Sequence, residues 1–169
     1  MRHRLLLTGG TGFFGRALLR HCLSHPHAVP LDIVVLSRDP ELFLASYPEL
    51  SNHPFLTFHK GDIQNRPSLP WCESFSYVLH AATDSTFGPS LSPLQRFQQI
   101  VEGTTNILDV AVATGARRFL LTSSGGIYGP QPSDLEAIPE DWPGSPPIND
   151  PGQAYSQAKR AAEHLCSLY

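Results

Sequence analysis

The chain has 169 residues, the size of one domain with a sizeable core. Hydrophobic residues make up 41% and charged residues 16%, a globular balance that excludes a disordered chain. The formal net charge of −3, with no lysine/arginine run, excludes the basic face that nucleic acid or an anionic membrane surface would require.

No apolar run approaches the roughly 20 residues of a spanning helix, so no membrane partner is expected. Met1-Arg2-His3-Arg4 is basic, but the apolar run after it stops at Thr8-Gly9-Gly10 and is too short for a secretory signal. It reads as the first β-strand of a cytoplasmic protein. Cys22, Cys72 and Cys166 are odd in number and form no CxxC pair, which fits reduced intracellular thiols.

Apolar runs of strand length alternate with helical patterns along the chain, the signature of βαβ units and a parallel sheet. Arg4–Thr8 is the first expected strand, unbroken in its apolar character as a strand buried on both faces should be. A helix over 12–25 follows, with Pro26 as its stop. Leu31–Ser37 is the second strand, and a short helix runs from Pro40 to Tyr47. Phe55–His59 and Ser76–His80 are the third and fourth strands. A long helix is expected from Pro93 to Thr114, with Phe97, Ile100, Val101, Thr104, Leu108 and Val112 on one face and Gly115 as its left-handed cap. Arg117–Thr122 is the fifth strand, and Gly152–Tyr169 the last helix. The expected outcome is an α/β fold: a doubly wound parallel sheet of order 3-2-1-4-5, forming one dinucleotide-binding domain over 1–169.

Thr8-Gly9-Gly10-Thr11-Gly12-Phe13-Phe14-Gly15 lies at the first strand-to-helix turn. Glycine at 9, 12 and 15 permits a tight turn, close backbone approach to a pyrophosphate, and close packing of helix on sheet. The helix N-terminus then offers unpaired N–H groups to phosphate. Tyr155-Ser156-Gln157-Ala158-Lys159 places a phenol and an ammonium one turn apart on the same face of the last helix. A free phenol is a poor base near neutral pH, and a neighbouring cation has the right sign to favour the phenolate.

The TGxxGxxG spacing, YxxxK, and the segment Leu121-Thr122-Ser123-Ser124-Gly125-Gly126-Ile127-Tyr128-Gly129 together resemble the extended short-chain dehydrogenase/reductases. More narrowly, the chain resembles the NAD-dependent epimerase/dehydratase family that modifies nucleotide-activated sugars. The resemblance covers essentially the whole chain and implies a Rossmann fold. It makes Ser124 the catalytic serine, with Ser123 as the alternative, beside Tyr155 and Lys159. It implies cofactor contacts from Gly9, Thr11, Gly12, Phe13, Phe14 and Gly15. Further contacts are implied at Asp62 and Ile63 beside adenine, along the backbone of Ala81, Ala82 and Thr83, and at Tyr155 and Lys159. His80 itself reads as a packed histidine. The end of the second strand bears on cofactor choice: Ser37 stands where the family usually places an aspartate, and Arg38 suits a 2′-phosphate. NADP is therefore favoured, with Asp39 keeping NAD open.

Relatives that dehydrate or decarboxylate their sugar carry acids just before the Val-Tyr-Gly step, where this chain has Gly125 and Gly126. That leaves 4-epimerisation or reduction of a keto-sugar, with a non-catalytic dinucleotide-binding module as the alternative. Ile100 departs from the family's usual asparagine. Extended-family enzymes run to roughly twice this length, so a C-terminal substrate lobe is expected to be absent, and the chain reads as a truncated piece that binds cofactor. Homodimerisation through helices at about 93–114 and 152–169 is implied by the same resemblance. His21, His25 and His27 form HxxxHxH without acidic or cysteine support, so they read as partners of a helix end and no metal site is expected. Trp71 and Trp142 read as packing residues.

Overall fold

The computed structural model describes residues 3–25, 30–83 and 91–169. Five parallel strands make one sheet: β1 (His3–Thr8), β2 (Leu31–Ser37), β3 (Leu56–Lys60), β4 (Tyr77–His80) and β5 (Arg118–Leu121), in the order β3-β2-β1-β4-β5. Among the described residues four α-helices accompany them: α1 (Phe13–Ser24), α2 (Pro40–Ser46), α3 (Pro93–Ala113) and α4 (Ala154–Leu168). The expected strand order is the one observed. Pro26, read as the stop of α1, lies outside the described residues, as does His27 of the histidine group. The chain divides into two compact units, Met1–Thr83 with Asn106–Thr122, and Asp84–Thr105 with Ser123–Tyr169.

The first unit holds the whole sheet and a core on each of its faces. Alternation along β1 sends Leu6 to one side, where it packs with Val34, Phe75, Val78 and Ile107. Leu5 and Leu7 point to the other side, against Leu19, Cys22, Ile33 and Val35. Helices α1 and α3 thereby cover opposite faces, as a parallel sheet requires. Four single-turn 3₁₀ segments were not foreseen: Pro48–Leu50, Arg66–Ser68, Gly125–Tyr128 and Pro151–Gln153. One turn is too short to show a hydrophobic period.

The long helix corrects one expectation. Ile100, Thr104 and Leu108 are buried, but Val112 is 66% exposed, and Ile107, Val110 and Ala111 pack in its place. At about 100° per residue, Val112 lies about 120° around the helix from Ile100, whereas Ile107 and Ala111 lie within about 20° of it. Repeated steps of four drift off the face; mixing steps of three and four holds it. The helix ends as foreseen. Gly115 has φ +75°, its N–H bonds to the Val112 carbonyl at 3.2 Å, and Ala116 N–H reaches the Ala111 carbonyl at 2.9 Å, a Schellman arrangement.

These positions separate in stability. Ile107→Ala, fully buried, should lower the unfolding free energy by about 2–5 kcal/mol in urea titration. Val112→Ala should stay within about 0.5 kcal/mol of the parent. Equal losses would show that the helix is turned the other way.

Candidate active site and cofactor cradle

In a parallel sheet every strand ends at the same edge, so residues far apart in sequence meet there. Within the first unit, the residues at and just beyond the ends of β1, β2, β3 and β4 include the expected cofactor contacts of the glycine loop, Ser37–Arg38, Asp62–Ile63 and Ala81–Thr83. Gly9 has φ +73°, and a β-carbon on it would lie 2.5 Å from the carbonyl carbon and oxygen of Ala81. A β-carbon on Gly15 would lie 2.2 Å from the Gly9 oxygen, so α1 presses directly on the loop. The loop folds back on itself through Gly12 N–H to Gly9 O at 3.0 Å.

Gly12 caps α1 without any side-chain hydrogen bond, and Phe13 and Phe14 stand 76% and 73% exposed, edge to face at 5.3 Å. The first N–H groups of α1 therefore have no side-chain cap among the described residues. Thr83 Oγ1 is buried with no hydrogen-bond partner among the described residues. An uncapped helix start, a backbone cradle that no β-carbon could enter and an orphaned hydroxyl together fit a dinucleotide's phosphates and ribose.

Thr8 is a member of this site that sequence reasoning passed over. It is fully buried; its hydroxyl accepts from Ala82 N–H at 3.1 Å and lies 2.6 Å from His80 Nδ1. The Thr8–His80 pair therefore ties the end of β1 to the Ala81–Ala82 backbone. His80 is 2% exposed, a packed histidine as read. The only sequence signal for Thr8 was its place before the glycines.

At the end of β2, Ser37 is buried and its carbonyl accepts from Gly61 N–H at 2.9 Å, while Arg38 is exposed. Asp39 caps α2, its Oδ1 accepting from Leu42 N–H at 3.0 Å. Asp62 Oδ1 accepts from Gln64 N–H at 2.9 Å, which shapes the turn after β3.

The expected proton-handling residues lie in the second unit. Ser124 caps the 3₁₀ turn Gly125–Tyr128, its Oγ accepting from Gly126 N–H at 3.1 Å. Because the oxygen is the acceptor there, the hydroxyl proton stays available to donate. Ser123 Oγ is buried without a partner among the described residues. Tyr155 and Lys159 share one face of α4 with the buried Ala158 and Ala162. Lys159 is 2% exposed, and its Nζ lies 5.9 Å from the centre of the Tyr155 ring.

Helix α4 holds the serine segment against itself. Arg160 Nη1 donates to the carbonyls of Ile127 at 3.0 Å and Gly144 at 2.8 Å, and Gln157 Nε2 donates to Pro146 O at 2.8 Å. A β-carbon on Gly126 would lie 2.6 Å from Ser156 Oγ, whereas the space at Gly125 is open. These long-range bonds have no periodic signature, so sequence reading did not find them.

No group of three or more His, Cys, Asp or Glu side chains that could hold a metal lies among the described residues. His21 and His25 pair ring to ring at 4.8 Å, and His25 Nδ1 lies 2.9 Å from the His21 carbonyl.

Burial pushes the Lys159 ammonium below its ordinary 10.5, against a smaller upward pull from Glu163. Between the lowered value and 10.5 the unfolded chain holds the extra proton, so unfolding free energy rises with pH across that interval. Measured against Lys159→Met, the parent should gain relative stability as pH climbs towards 10.5 in chemical denaturation. Parallel curves would exclude a desolvated Lys159.

The sequence profile of the NAD dependent epimerase/dehydratase family matches residues 5–169. UDP-glucose 4-epimerase 2 of Oryza sativa subsp. japonica is 31% identical over 96% of this chain and 39% of its own length. The dTDP-glucose 4,6-dehydratase of Streptomyces griseus is 30% identical over 98% of this chain and 49% of its own. The UDP-glucose 4-epimerase of Thermus thermophilus, solved in complex with NAD, superposes with a TM-score of 0.73 at 25% identity, covering 98% of this chain and 50% of that one. The chain thus spans half or less of the length of these relatives. With the glycine cradle, the sheet order and a profile match running from β1 to the end of α4, this chain belongs to the NAD-dependent epimerase/dehydratase family of extended short-chain dehydrogenase/reductases.

Proposed function

We propose that this chain is the cofactor-binding part of an NAD(P)-dependent epimerase or reductase that acts on a nucleotide-activated sugar at C4. The observation that carries the reading is the set of Ser124, with a hydroxyl proton free to donate, and Tyr155 with a buried Lys159 on one face of α4. When bound, the nicotinamide supplies hydride acceptance and return. Ser124 holds the sugar oxygen through a hydrogen bond donated by its hydroxyl. The Tyr155 phenolate takes that sugar's hydroxyl proton, or the phenol returns one to its carbonyl, and the Lys159 cation favours the phenolate.

Dehydration and decarboxylation need a further acid or base, and Gly125 and Gly126 offer none. Ser156 Oγ already stands where a side chain at 126 would begin.

On the cofactor side, Gly9, Gly12 and Gly15 take the pyrophosphate, with Thr11, Phe13 and Phe14 around it. Ala81, Ala82 and Thr83 line the ribose, and Asp62 and Ile63 meet adenine. NADP is our preferred cofactor. Ser37 brings no charge to repel a 2′-phosphate, the Asp39 carboxylate is engaged as the cap of α2, and Arg38 is exposed beside them. NAD is the cofactor named for the family.

Calorimetric titration with NAD⁺ and NADP⁺ tests this reading. NADP⁺ should bind more tightly, and Arg38→Ala should weaken NADP⁺ about tenfold or more while sparing NAD⁺. Binding of neither would sink the proposal. In the full-length protein, Tyr155→Phe should cut turnover at least about a hundredfold while lowering cofactor affinity by a much smaller factor. Undiminished function would favour a non-catalytic dinucleotide-binding module.

We also propose a homodimer through α3 and α4. In the second unit an open groove of about 670 Å³ is lined by Leu94, Phe97, Ile148, Ala154, Ala161 and His164, with Leu94 66% and Ile148 93% exposed. Light scattering should give twice the monomer mass, and Leu94→Glu should halve it. A monomer at high concentration rejects the dimer.

A further inference from the structure

Resting on the assignment of Asp62 and Ile63 to adenine, we propose that Asn106 is a positioning residue for the adenine-edge turn, with Arg66 setting the direction of its amide. Asn106 lies on α3, 43 residues from the turn, and its Nδ2 donates to the Ile63 carbonyl at 2.8 Å. Its Oδ1 accepts from Arg66 Nη1 at 3.2 Å. A guanidinium only donates, so the amide oxygen must face Arg66 and the amide nitrogen must face Ile63.

Arg66 is itself held from three sides. Its Nη1 also donates to Asp109 Oδ2, its guanidinium lies 4.6 Å from the centre of the Trp71 ring, and Trp71 Nε1 donates to the Arg66 carbonyl at 2.7 Å. Trp71 thus packs, as read from sequence, and it also braces the arginine. The Arg66 side chain is 53% exposed, and exposed ion pairs contribute little stability. What the cluster does provide is a fixed direction for one amide.

That direction matters because the turn exposes a donor beside an acceptor. With its carbonyl taken by Asn106, Ile63 has an N–H with no partner among the described residues. Asp62 uses Oδ1 within the turn, and its Oδ2 has no partner there. A donor next to an acceptor complements the acceptor–donor edge of adenine, and rotation of the Ile63–Gln64 peptide would carry away the Gln64 N–H that orients the Asp62 carboxylate and so break the match. Asn106 restrains the Ile63–Gln64 peptide at its carbonyl, while Asp62 Oδ1 holds the N–H of the same peptide.

The test uses Asn106→Asp, which keeps an acceptor for Arg66 and removes the donor to Ile63. AMP and nicotinamide mononucleotide serve as separate probes in calorimetric titration. AMP affinity should fall about five- to tenfold, the loss of one positioned hydrogen bond, while nicotinamide mononucleotide stays within about twofold. Arg66→Met, at an exposed position, should move AMP the same way by a smaller factor. Amide exchange in the ligand-free chain should quicken at Gln64, whose N–H is bonded to Asp62 Oδ1 in the parent.

Unchanged AMP affinity in both variants, or an equal loss for both probes, would overturn the proposal. If the parent chain binds nicotinamide mononucleotide but not AMP, the adenine assignment fails and takes this inference with it. If it binds neither, the dinucleotide reading is what has failed.

Discussion

The burial of β1 on both faces is the constraint from which the rest follows. Leu5, Leu6, Leu7 and Thr8 are at most 6% exposed, so this strand has no face for water. Each side must be covered by a helix, and a chain that returns over a sheet between strands makes those strands parallel. Parallel strands end at one edge. The placement of the glycine loop, Ser37, Asp62 and Ala81 along that edge is therefore a consequence of where the leucines are buried.

Close approach is the second requirement. Gly15 lets α1 sit on the Gly9 carbonyl, and Gly9 lets the loop pass the Ala81 backbone at a distance no β-carbon permits. Among the described residues no side chain caps the N–H groups that begin α1 beside the loop. Thr8 serves the same end by tying Ala82 to the end of β1. In the second unit, α4 has a comparable part: Arg160 and Gln157 hold the loop segments while Ser156 packs against Gly126. Lys159 is kept in this packing despite the cost of desolvating an ammonium, the kind of local conflict that marks a functional group more often than a structural one.

The family relation and the departures from it speak to different levels. The glycine spacing, YxxxK and the serine segment agree with the profile match in placing the chain in the NAD-dependent epimerase/dehydratase family. The matched relatives include both an epimerase and a dehydratase, so the family by itself does not choose the reaction. In the function proposed above, the choice rests on single positions such as Gly125 and Gly126, which bring no side chain.

Much of this was legible in the sequence because it is encoded locally. Strand order came from the alternation of apolar runs with helical periods, the cofactor loop from glycine spacing, and the cap of α3 from Gly115. The face of α3 was only partly legible. Several choices of three- and four-residue steps fit the same apolar residues, and Val112 was assigned to a face that Ile107 and Ala111 occupy. The links from Asn106 to Ile63, from Thr8 to His80 and Ala82, and from Arg160 to Ile127 and Gly144 were not legible at all. They join residues whose separation in sequence is set by topology and which carry no period. Local pattern determined which elements form and what chemistry they carry, because propensity and burial act over a few residues. Tertiary structure decided which side chain reaches which backbone group, because a hydrogen bond across many residues exists only once the sheet has brought its partners together.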